Sequence, residues 1–305
     1  MAKRKNVKYT TKSKLSSLFL ILTILLVIFG RFTDKYDETP LTSPENVKVP
    51  EGIITVHVID VGQGSSTLIQ SGHEGILVDG GEKRYGKELV TYISKTGVKK
   101  LKYVVASHPH TDHIGGLLTV LDGFEVENVI MPKLSSANIP TTKTYENLLL
   151  KIKEKNIKAI AATYGARYMM GDALMEIYSP VKQYDDLNNM SVVCRVKANC
   201  ATFLLPGDAS IGELTDMYYK GTDFSSDILV AAHHGSSESL HKKFYYNVNP
   251  DVVVYSCGED NSYGHPHKEV VDFFGEMGCK IYRTDKNGNI VFTCNSDGYK
   301  VKTDY

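Results

Sequence analysis

The length, composition and charge of this 305-residue chain restrict the classes of protein it can belong to. It carries 35 Lys and Arg against 35 Asp and Glu, but six basic residues lie within residues 1–14, which leaves 29 against 35 for the rest. Because a nonspecific nucleic-acid binder usually shows a basic surplus, this balance gives no support to tight DNA binding by bulk charge, although a local groove can still be basic. The five cysteines include no C-x-x-C pair, so no cysteine zinc site is assigned. Their odd number leaves at least one unpaired or bonded to another chain, and a domain of about 250 residues can bury a core without disulfides, so no disulfide is assigned.

The N-terminus predicts attachment to a membrane. Residues 1–14 contain no acidic residue, and residues 15–30 run for sixteen residues without a charge. A spanning helix needs about 20 apolar residues, with about 17 as the lower limit, so this run lies between a signal-peptide core and a spanning helix. Because no A-x-A-like cleavage site follows, we predict a basic cytoplasmic tail over 1–14, an uncleaved signal-anchor over 15–30 and an extracytoplasmic domain. A cleaved signal peptide, with secretion of the domain, is the alternative.

Residues 31–50 are rich in Pro, Thr, Ser and charged residues, which predicts a linker. After residue 53, short β-branched runs alternate with segments of helical periodicity, which predicts one mixed α/β domain over residues 51–305. The predicted strands cover residues 54–60, 66–70, 75–78, 103–106, 129–131, 173–178, 191–197, 202–205, 228–231, 252–255, 280–283 and 289–293. The predicted helices cover residues 87–94, 114–121, 145–155, 211–218 and 268–275.

Three of the ten histidines lie in the segment VVASHPHTDHIGG, between a predicted strand and a predicted helix. His108, His110, Asp112 and His113 offer imidazole and carboxylate ligands, which suit zinc, manganese or iron. The alternate spacing of His108 and His110 lets both point the same way and share one metal ion. Asp112 and His113 are adjacent, must point differently and suit a second ion. The alternative is a solvated polar loop that happens to contain histidines.

The pattern H-x-H-x-D-H-x-G-G at a strand end resembles the metallo-β-lactamase superfamily. Five further segments resemble the ComEC-like branch of competence proteins in this superfamily: HVIDVGQGSSTLIQ, GILVDGG, FLLPGDAS, ILVAAHHGSSES and NSYGHPHKEV. These landmarks extend over roughly residues 53 to 290. The resemblance implies a four-layer αββα sandwich carrying a hydrolytic metal site.

The resemblance also implies roles for residues outside the histidine motif. Asp208, after the strand FLL, would bridge two metal ions, and His234 would be the last metal histidine. Asp79, at the end of GILV, would orient the histidine loop, as metal ligands require of their surroundings. His233 is expected to face the other way and to be the weaker candidate ligand, with an exchange of roles left open. The alternatives are a turn residue for Asp79 and a helix N-cap for Asp208.

The sequence departs from the family pattern at two places. No histidine occurs between His113 and Asp208, where many members of the superfamily place a metal ligand. The corresponding stretch is DDLNNMSVV, so Asn189, or Asn188, is the candidate substitute through a carbonyl oxygen, a weaker ligand than imidazole. We therefore expect either one ion or two ions of unequal affinity. Ser65 stands where ComEC-like sequences often carry an acid, so no role is assigned to it.

His265 and His267 lie in SYGHPHKEV, between a predicted strand and a predicted helix. We predict that His265, or Tyr263, reaches a substrate oxygen near the metals as a donor or acid, and we prefer His265 to His267. The alternative is a pair of surface histidines at a turn fixed by Pro266.

Residues and resemblance together predict a membrane-anchored, extracytoplasmic, metal-dependent hydrolase with one or two divalent ions, zinc first and manganese second. A metal-activated water would attack a phosphodiester of nucleic acid, such as DNA, or of the cell envelope, because a two-metal clamp stabilises both the attacking and the leaving oxygen. The predicted catalytic residues are Asp112 and His265. One alternative is a weakly catalytic or non-catalytic DNA-uptake or envelope-binding module. The other is a β-lactam hydrolase, which the missing middle histidine disfavours.

Overall fold

The computed structural model describes residues 11–30, 52–199 and 201–305. Most of the predicted tail over 1–14 and the whole predicted linker over 31–50 lie outside the described residues. Fifteen strands are present in the described part of the chain, and they form two sheets. In chain order they are β1 Ile54–Val58, β2 Thr67–Ser71, β3 Glu74–Val78, β4 Lys100–Val105, β5 Glu125–Met131, β6 Lys158–Ala161, β7 Arg167–Met170, β8 Ala173–Ile177, β9 Cys194–Ala198, β10 Ala201–Leu205, β11 Ile228–Val230, β12 Val252–Tyr255, β13 Lys280–Arg283, β14 Ile290–Asn295 and β15 Gly298–Thr303.

Helices cover the outer faces of both sheets. In chain order they are α1 Thr11–Gly30, α2 Gly86–Lys95, α3 Thr111–Ile114, α4 Leu117–Gly123, α5 Lys143–Glu154, α6 Ile211–Tyr219, α7 Lys242–Val248, α8 Lys268–Glu276 and α9 Thr284–Asn287. The first sheet has the strand order β15-β14-β1-β2-β3-β4-β5-β6, and the second has the order β13-β12-β11-β10-β9-β8-β7.

Three apolar cores define four layers. One fills the space between the two sheets and includes Phe203 and Phe292. The second lies between the first sheet and helices α1, α2, α4 and α5. The third lies between the second sheet and helices α6, α7 and α8. The predicted α/β fold with two sheets is therefore confirmed, in the αββα order.

The central strands of the second sheet are apolar on both faces because each face meets a core. In β12, Val252 and Val254 point between the sheets, whereas Val253 and Tyr255 point toward the helices. Parallel strands buried on both sides read as continuous apolar runs, and β10, β11, β12 and β13 are parallel neighbours. The run VVVY therefore gave correct strand boundaries from sequence alone.

The predicted helix over 114–121 is wrong at its start. The chain forms the short α3, and α4 begins only after Gly115 and Gly116. A Cβ at Gly116 would overlap the carbonyl oxygen of Gly80, and one at Gly115 would overlap the backbone of Lys83. Because neither glycine has a Cβ, the loop that carries the histidine motif packs directly on the backbone of residues 80–83, which follows β3.

The prediction also missed elements. Strands β6, β7 and β15 were not predicted, and all three lie at sheet edges. An edge strand meets solvent on one side, so it carries polar residues, as in RYMM and GYKVKT, and its apolar alternation is weak. The short helices α7 and α9 were missed as well, since each is too short to show helical periodicity.

Helix α1 packs against the domain. Ile21 and Ile24 are buried in the core beside α5, and the hydroxyl of Ser17 donates a hydrogen bond to the Glu146 carboxylate at 2.9 Å. Within the described ranges, the structure contains no helix with the length and apolar character needed to cross a bilayer. Two side chains of the predicted signal-anchor over 15–30, Ile21 and Ile24, are thus buried against the domain.

Candidate metal centre

The loop after β4 brings the histidine motif to one edge of the first sheet. His108 and His113 are fully buried, whereas His110 and Asp112 are partly exposed. The Nε2 atom of His108 lies 3.0 Å from Nδ1 of His110, so these two rings converge as their alternate spacing predicted. Asp112 and His113 lie in the single turn of α3, and Oδ2 of Asp112 lies 3.9 Å from Nε2 of His113.

Asp79 fixes the position of this loop. It follows β3, whose parallel neighbour is β4, so both strands deliver their ends to the same edge. The Asp79 carboxylate accepts hydrogen bonds from the Ser107 amide at 2.8 Å and from the Ser107 hydroxyl at 2.7 Å. Nδ1 of His113 lies 2.7 Å from the same carboxylate and donates to it. With one proton held at Nδ1, His113 turns Nε2 to the centre, where a metal ion would bind in place of a second proton.

The second sheet supplies Asp208, His233 and His234. Asp208 follows β10 and the two histidines follow β11, its parallel neighbour. Oδ1 of Asp208 lies 3.0 Å from Nε2 of His113 and 3.6 Å from Nε2 of His234. Oδ2 lies 3.7 Å from Nε2 of His108 and 3.6 Å from Nε2 of His233. The two oxygens of one buried carboxylate therefore face two different sets of imidazoles.

His234 is oriented like His113. Its Nδ1–H donates to the carbonyl of Ser256 at 2.9 Å, so its Nε2 faces Asp112 at 3.4 Å and Asp208. His233 was expected to face away, and that expectation is wrong. His233 and His234 both have positive φ, and this backbone turns the two adjacent rings to the same side. Side chains at adjacent positions of an extended strand would instead point to opposite faces.

The donor atoms fit divalent metal ions. In the described residues, two groups have ligand atoms that all lie within 4.8 Å of one another, and they share Asp208: Asp112, His113, Asp208 and His234 form one, and His108, His110 and Asp208 form the other. Nε2 of His113, Nε2 of His234 and Oδ1 of Asp208 are buried without a hydrogen-bond partner. Because buried polar atoms are nearly always paired, three such atoms converging on one point indicate that a cation completes the site.

The charges around Asp208 also favour a cation. Burial raises the pKa of Asp208, but His113, His234 and His108 outweigh burial and hold that pKa well below its usual range. Burial lowers the pKa of His113, but Asp208 and Asp79 outweigh it and raise that pKa well above its usual range. The Asp208 carboxylate is therefore ionised in a site shielded from water, where it strongly attracts positive charge, either a proton on His113 or a metal ion.

The asparagine candidates separate in the structure. Asn189 accepts a hydrogen bond from the Glu213 amide through Oδ1 at 2.9 Å and donates to Asp186 through Nδ2 at 2.9 Å. It therefore supports the start of α6, and both of its polar atoms have hydrogen-bond partners. Asn188 lines the cleft instead, and its Oδ1 is buried without a hydrogen-bond partner.

The two histidines of SYGHPHKEV occupy different environments. Nδ1 of His267 accepts from the Ser237 amide at 3.0 Å, and its Nε2 donates to the Tyr263 carbonyl at 3.2 Å, so both nitrogens are used. His265 lines the cleft, and its ring stacks on that of Tyr263 with centroids 5.6 Å apart. Burial lowers the pKa of His265 to about 4, so its ring is neutral near pH 7.

A cleft of about 490 Å³ opens onto the two ligand groups. Sequence reasoning did not single out Gln63, whose Nε2 lies 3.4 Å from Nδ1 of His265, or Thr142 and Leu187, which also line the cleft. The Gly-Gln-Gly turn around Gln63 was the available signal, since glycines on both sides permit a close backbone approach. A Cβ at the flanking Gly64 would indeed lie only 2.5 Å from the carbonyl oxygen of Asp112.

The αββα sandwich and its two groups of His and Asp ligands at one edge define a candidate site for divalent metal ions. Residues 59–259 match the sequence profile of the Metallo-beta-lactamase superfamily, and the chain belongs to that superfamily. Members of the superfamily bind divalent metals, in accord with the ligand groups present here.

Competence proteins are among its sequence relatives. The chain is 25% identical to ComE operon protein 3 of Bacillus subtilis over 256 residues, which is 78% of this chain and 32% of that protein. It is 30% identical to the competence protein ComA of Neisseria gonorrhoeae over 258 residues, which is 83% of this chain and 34% of that protein. The chain thus spans about a third of the length of these relatives, and the predicted likeness to the ComEC-like branch is confirmed.

Solved structures support the fold. The metallo-beta-lactamase fold protein YhfI from Bacillus subtilis superposes with a TM-score of 0.54 at 16% identity, covering 80% of this chain and 100% of that one. Igni18, a metallo hydrolase from Ignicoccus hospitalis, superposes with a TM-score of 0.51 at 14% identity, covering 78% of this chain and 98% of that one. At these identities the likeness concerns the fold alone.

Proposed function

We propose that the chain is a metal-dependent phosphodiesterase that acts on nucleic acid or on a phosphodiester of the cell envelope. The observation that carries the proposal is the convergence of two ligand groups on the two oxygens of Asp208. Two ions bridged by one carboxylate stabilise both the attacking and the leaving oxygen of a phosphoryl displacement. Zinc is the first candidate because the ligands are imidazoles and carboxylates, and manganese is the second.

The proposed roles follow from position. His108, His110 and Asp208 hold one ion, and Asp112, His113, Asp208 and His234 hold the other. When bound, the ions lower the pKa of water and polarise the phosphoryl group. Asp79 and Ser256 keep the histidine protons on the nitrogens that face away from the centre.

Asp112 and His265 are the proposed catalytic residues because both line the cleft beside the ligand groups. The Asp112 side chain is 29% exposed, so its carboxylate reaches both the centre and the substrate space. Burial holds His265 neutral near pH 7, so we assign it as a hydrogen-bond donor to a phosphoryl oxygen rather than as a cationic acid.

A binding module for DNA uptake or for the envelope is the second candidate function. Two observations favour it: relatives are named competence proteins, and the group around His108 and His110 has only three ligands in the described residues. β-Lactam hydrolysis ranks third, since no histidine occupies the interval between His113 and Asp208.

We further propose that the domain works outside the cytoplasm. The basic residues of segment 1–14, followed by the uncharged run over 15–30, support this through the positive-inside bias. Protease digestion of intact cells checks the proposal, because an exported domain is degraded and a cytoplasmic one is protected. Sequencing the N-terminus of the mature protein distinguishes a retained segment from a cleaved one.

The full chain, purified and supplied with Zn²⁺ or Mn²⁺, should be assayed on bis(p-nitrophenyl) phosphate, single-stranded DNA and a chromogenic cephalosporin. Hydrolysis of either of the first two, abolished in His108→Ala/His110→Ala and retained in the surface variant His73→Ala, supports the phosphodiesterase. Hydrolysis of the cephalosporin alone overturns it in favour of a lactamase. Tight DNA binding without turnover overturns it in favour of the binding module.

A further inference from the structure

The backbone after β11 adopts an unusual conformation over three consecutive residues. His233 has φ 50° and ψ 45°, His234 has φ 56° and ψ 19°, and Gly235 has φ 86°. The left-handed region is unfavourable for residues with a Cβ, and such strain concentrates at functional sites. Gly235 must be glycine, since a Cβ there would lie 2.6 Å from Cβ of Pro266. His233 and His234, by contrast, adopt a backbone conformation that costs free energy for a residue with a Cβ but not for glycine.

The strained turn has a specific result. It places Nε2 of His233 at 3.6 Å from Oδ2 of Asp208 and Nε2 of His234 at 3.6 Å from Oδ1. His108 faces the same Oδ2 oxygen as His233, at 3.7 Å, while His113 faces the same Oδ1 oxygen as His234, at 3.0 Å. The carboxylate is therefore flanked symmetrically, with two imidazoles at each oxygen.

The two ligand groups are nevertheless unequal. The group containing His113 and His234 has four ligands, whereas the group containing His108 and His110 has three. Zinc in proteins prefers four ligands, which are all from the protein in a structural site and are three protein ligands plus a water in a catalytic site, so the group of three leaves one position for a further side chain or for water. The chain has no histidine between His113 and Asp208 to complete the smaller group.

We propose that His233 binds the first ion through Nε2, as the fourth protein ligand of the group formed by His108, His110 and Asp208. This inference rests on the proposed metal centre. His233 lies outside the compact group of atoms within 4.8 Å, so its ring must close on the ion as the ion binds. Its side chain is 17% exposed and lines the cleft, where such a movement is open.

The surroundings of His233 suit a ligand. Its Nδ1 has no hydrogen-bond partner, and the nearest carboxylate oxygen, on Glu238, lies 4.0 Å away. Metal-bound histidines commonly donate the proton of the other nitrogen to a carboxylate, and Glu238 is in position to accept it after a small shift. Asn188 is the rival for the fourth position, since its buried Oδ1 also lacks a partner beside the cleft.

The test compares variants that keep the backbone conformation. Asparagine tolerates the left-handed region better than other residues with a Cβ, so His233→Asn removes the imidazole with little change of backbone. His234→Asn is the matched variant for the other group. His73→Asn, at an exposed histidine bonded to the Gly97 carbonyl, is the control for the loss of any histidine.

The full chain of each variant should be titrated with Co²⁺ and Zn²⁺, measuring stoichiometry, stepwise affinity by chelator competition and the visible spectrum of the cobalt form. We expect the wild type and His73→Asn to bind two ions. We expect His233→Asn to lose at least tenfold in affinity for one ion only, because even the loss of a group that merely orients a ligand costs about 10–100-fold. His234→Asn should weaken the other ion.

The outcomes separate the inference from the function on which it rests. Unchanged affinities and cobalt spectrum in His233→Asn overturn the inference while leaving the phosphodiesterase intact. Loss of the first ion in Asn188→Ala but not in His233→Asn also overturns it, in favour of the amide oxygen. A wild type that binds no metal ion overturns the proposed centre together with the inference. Thermal unfolding of each metal-free variant checks that it is folded, so that a lower affinity is not a loss of structure.

Discussion

Replacing Asp79 by asparagine tests how the histidine loop is held. Asparagine has the same shape and tolerates the φ of 60° found at this position, so the change alters only the hydrogen bonding. The new amide oxygen can still accept from the Ser107 amide, as Oδ1 of the carboxylate does at 2.8 Å. The new NH2 group, however, would face the Ser107 hydroxyl and Nδ1 of His113, which both lie 2.7 Å from Oδ2.

The magnitude follows from what His113 must then do. To accept from the new NH2 group, His113 must carry its proton on Nε2, which is the nitrogen that faces Asp208 at 3.0 Å. A metal ion can bind only after that proton is moved or lost. We expect zinc affinity to fall by about 10–100-fold, or about 1.4–2.7 kcal/mol. The metal-free protein should lose about 1–3 kcal/mol of unfolding free energy, because a buried donor loses its partner.

Two measurements check this prediction. Chelator competition gives the zinc affinity, and urea unfolding of the metal-free protein gives the free energy of unfolding. Ser107→Ala is the control, because it removes one partner of Asp79 but leaves the contact between Asp79 and His113. Its zinc affinity should fall less than that of Asp79→Asn. A zinc affinity of Asp79→Asn within threefold of wild type would show that the proton on His113 is not set by Asp79, and the reasoning would fail.

Three further predictions concern the bridge and two buried titratable groups. Asp208→Ala should lower turnover at saturating metal at least tenfold, and more than Asn189→Ala or His267→Ala, because only Asp208 faces both ligand groups. Rates of Asp208→Ala within threefold of wild type would mean that other residues bridge the two metal ions. Burial lowers the pKa of His57 to about 4, so unfolding free energy is lost as the pH falls from about 6.5, where the unfolded chain takes up a proton, toward 4. Urea unfolding at pH 7 and at pH 4.5 should show a smaller loss of unfolding free energy in His57→Gln than in the wild type. Equal losses would refute the assignment. Burial raises the pKa of Glu213 well above its usual range, so the free-energy cost of burying this residue grows as the pH rises above about 4.5. Glu213→Gln should have the melting temperature of the wild type at pH 4 and at least that of the wild type at pH 7. A Glu213→Gln protein that melts at a lower temperature than the wild type at pH 7 would contradict this.

The sequence by itself determined the elements that depend on local pattern. The run VVVY specified β12 because a strand buried on both faces needs apolar residues at every position. The ligand types of the histidine motif, and the convergence of His108 and His110, followed from residue chemistry and alternate spacing. The likeness of FLLPGDAS and ILVAAHHGSSES to a known family correctly pointed to Asp208 and His234 as residues near that motif.

Only the tertiary structure decided which residues meet. Asn189 and Asn188 are adjacent in sequence, yet one supports α6 and the other lines the cleft, because a turn of 3₁₀ helix sends their side chains in different directions. The apolar run of α1 does not itself reveal that Ile21 and Ile24 are buried against α5, since burial depends on a surface supplied by distant residues.

The direction of His233 shows the same limit most clearly. Alternation along a strand predicts that adjacent side chains point apart, and it failed because the backbone after β11 turns left-handed at two consecutive histidines. Histidine enters the left-handed region more often than most residues with a Cβ, but the conformation is still locally unfavourable. It persists because the surrounding fold holds it, through Gly235 packed under Pro266 and through His234 bonded to Ser256. The residue types therefore determined which ligands are available to the centre, and long-range packing determined the direction in which each ligand side chain points.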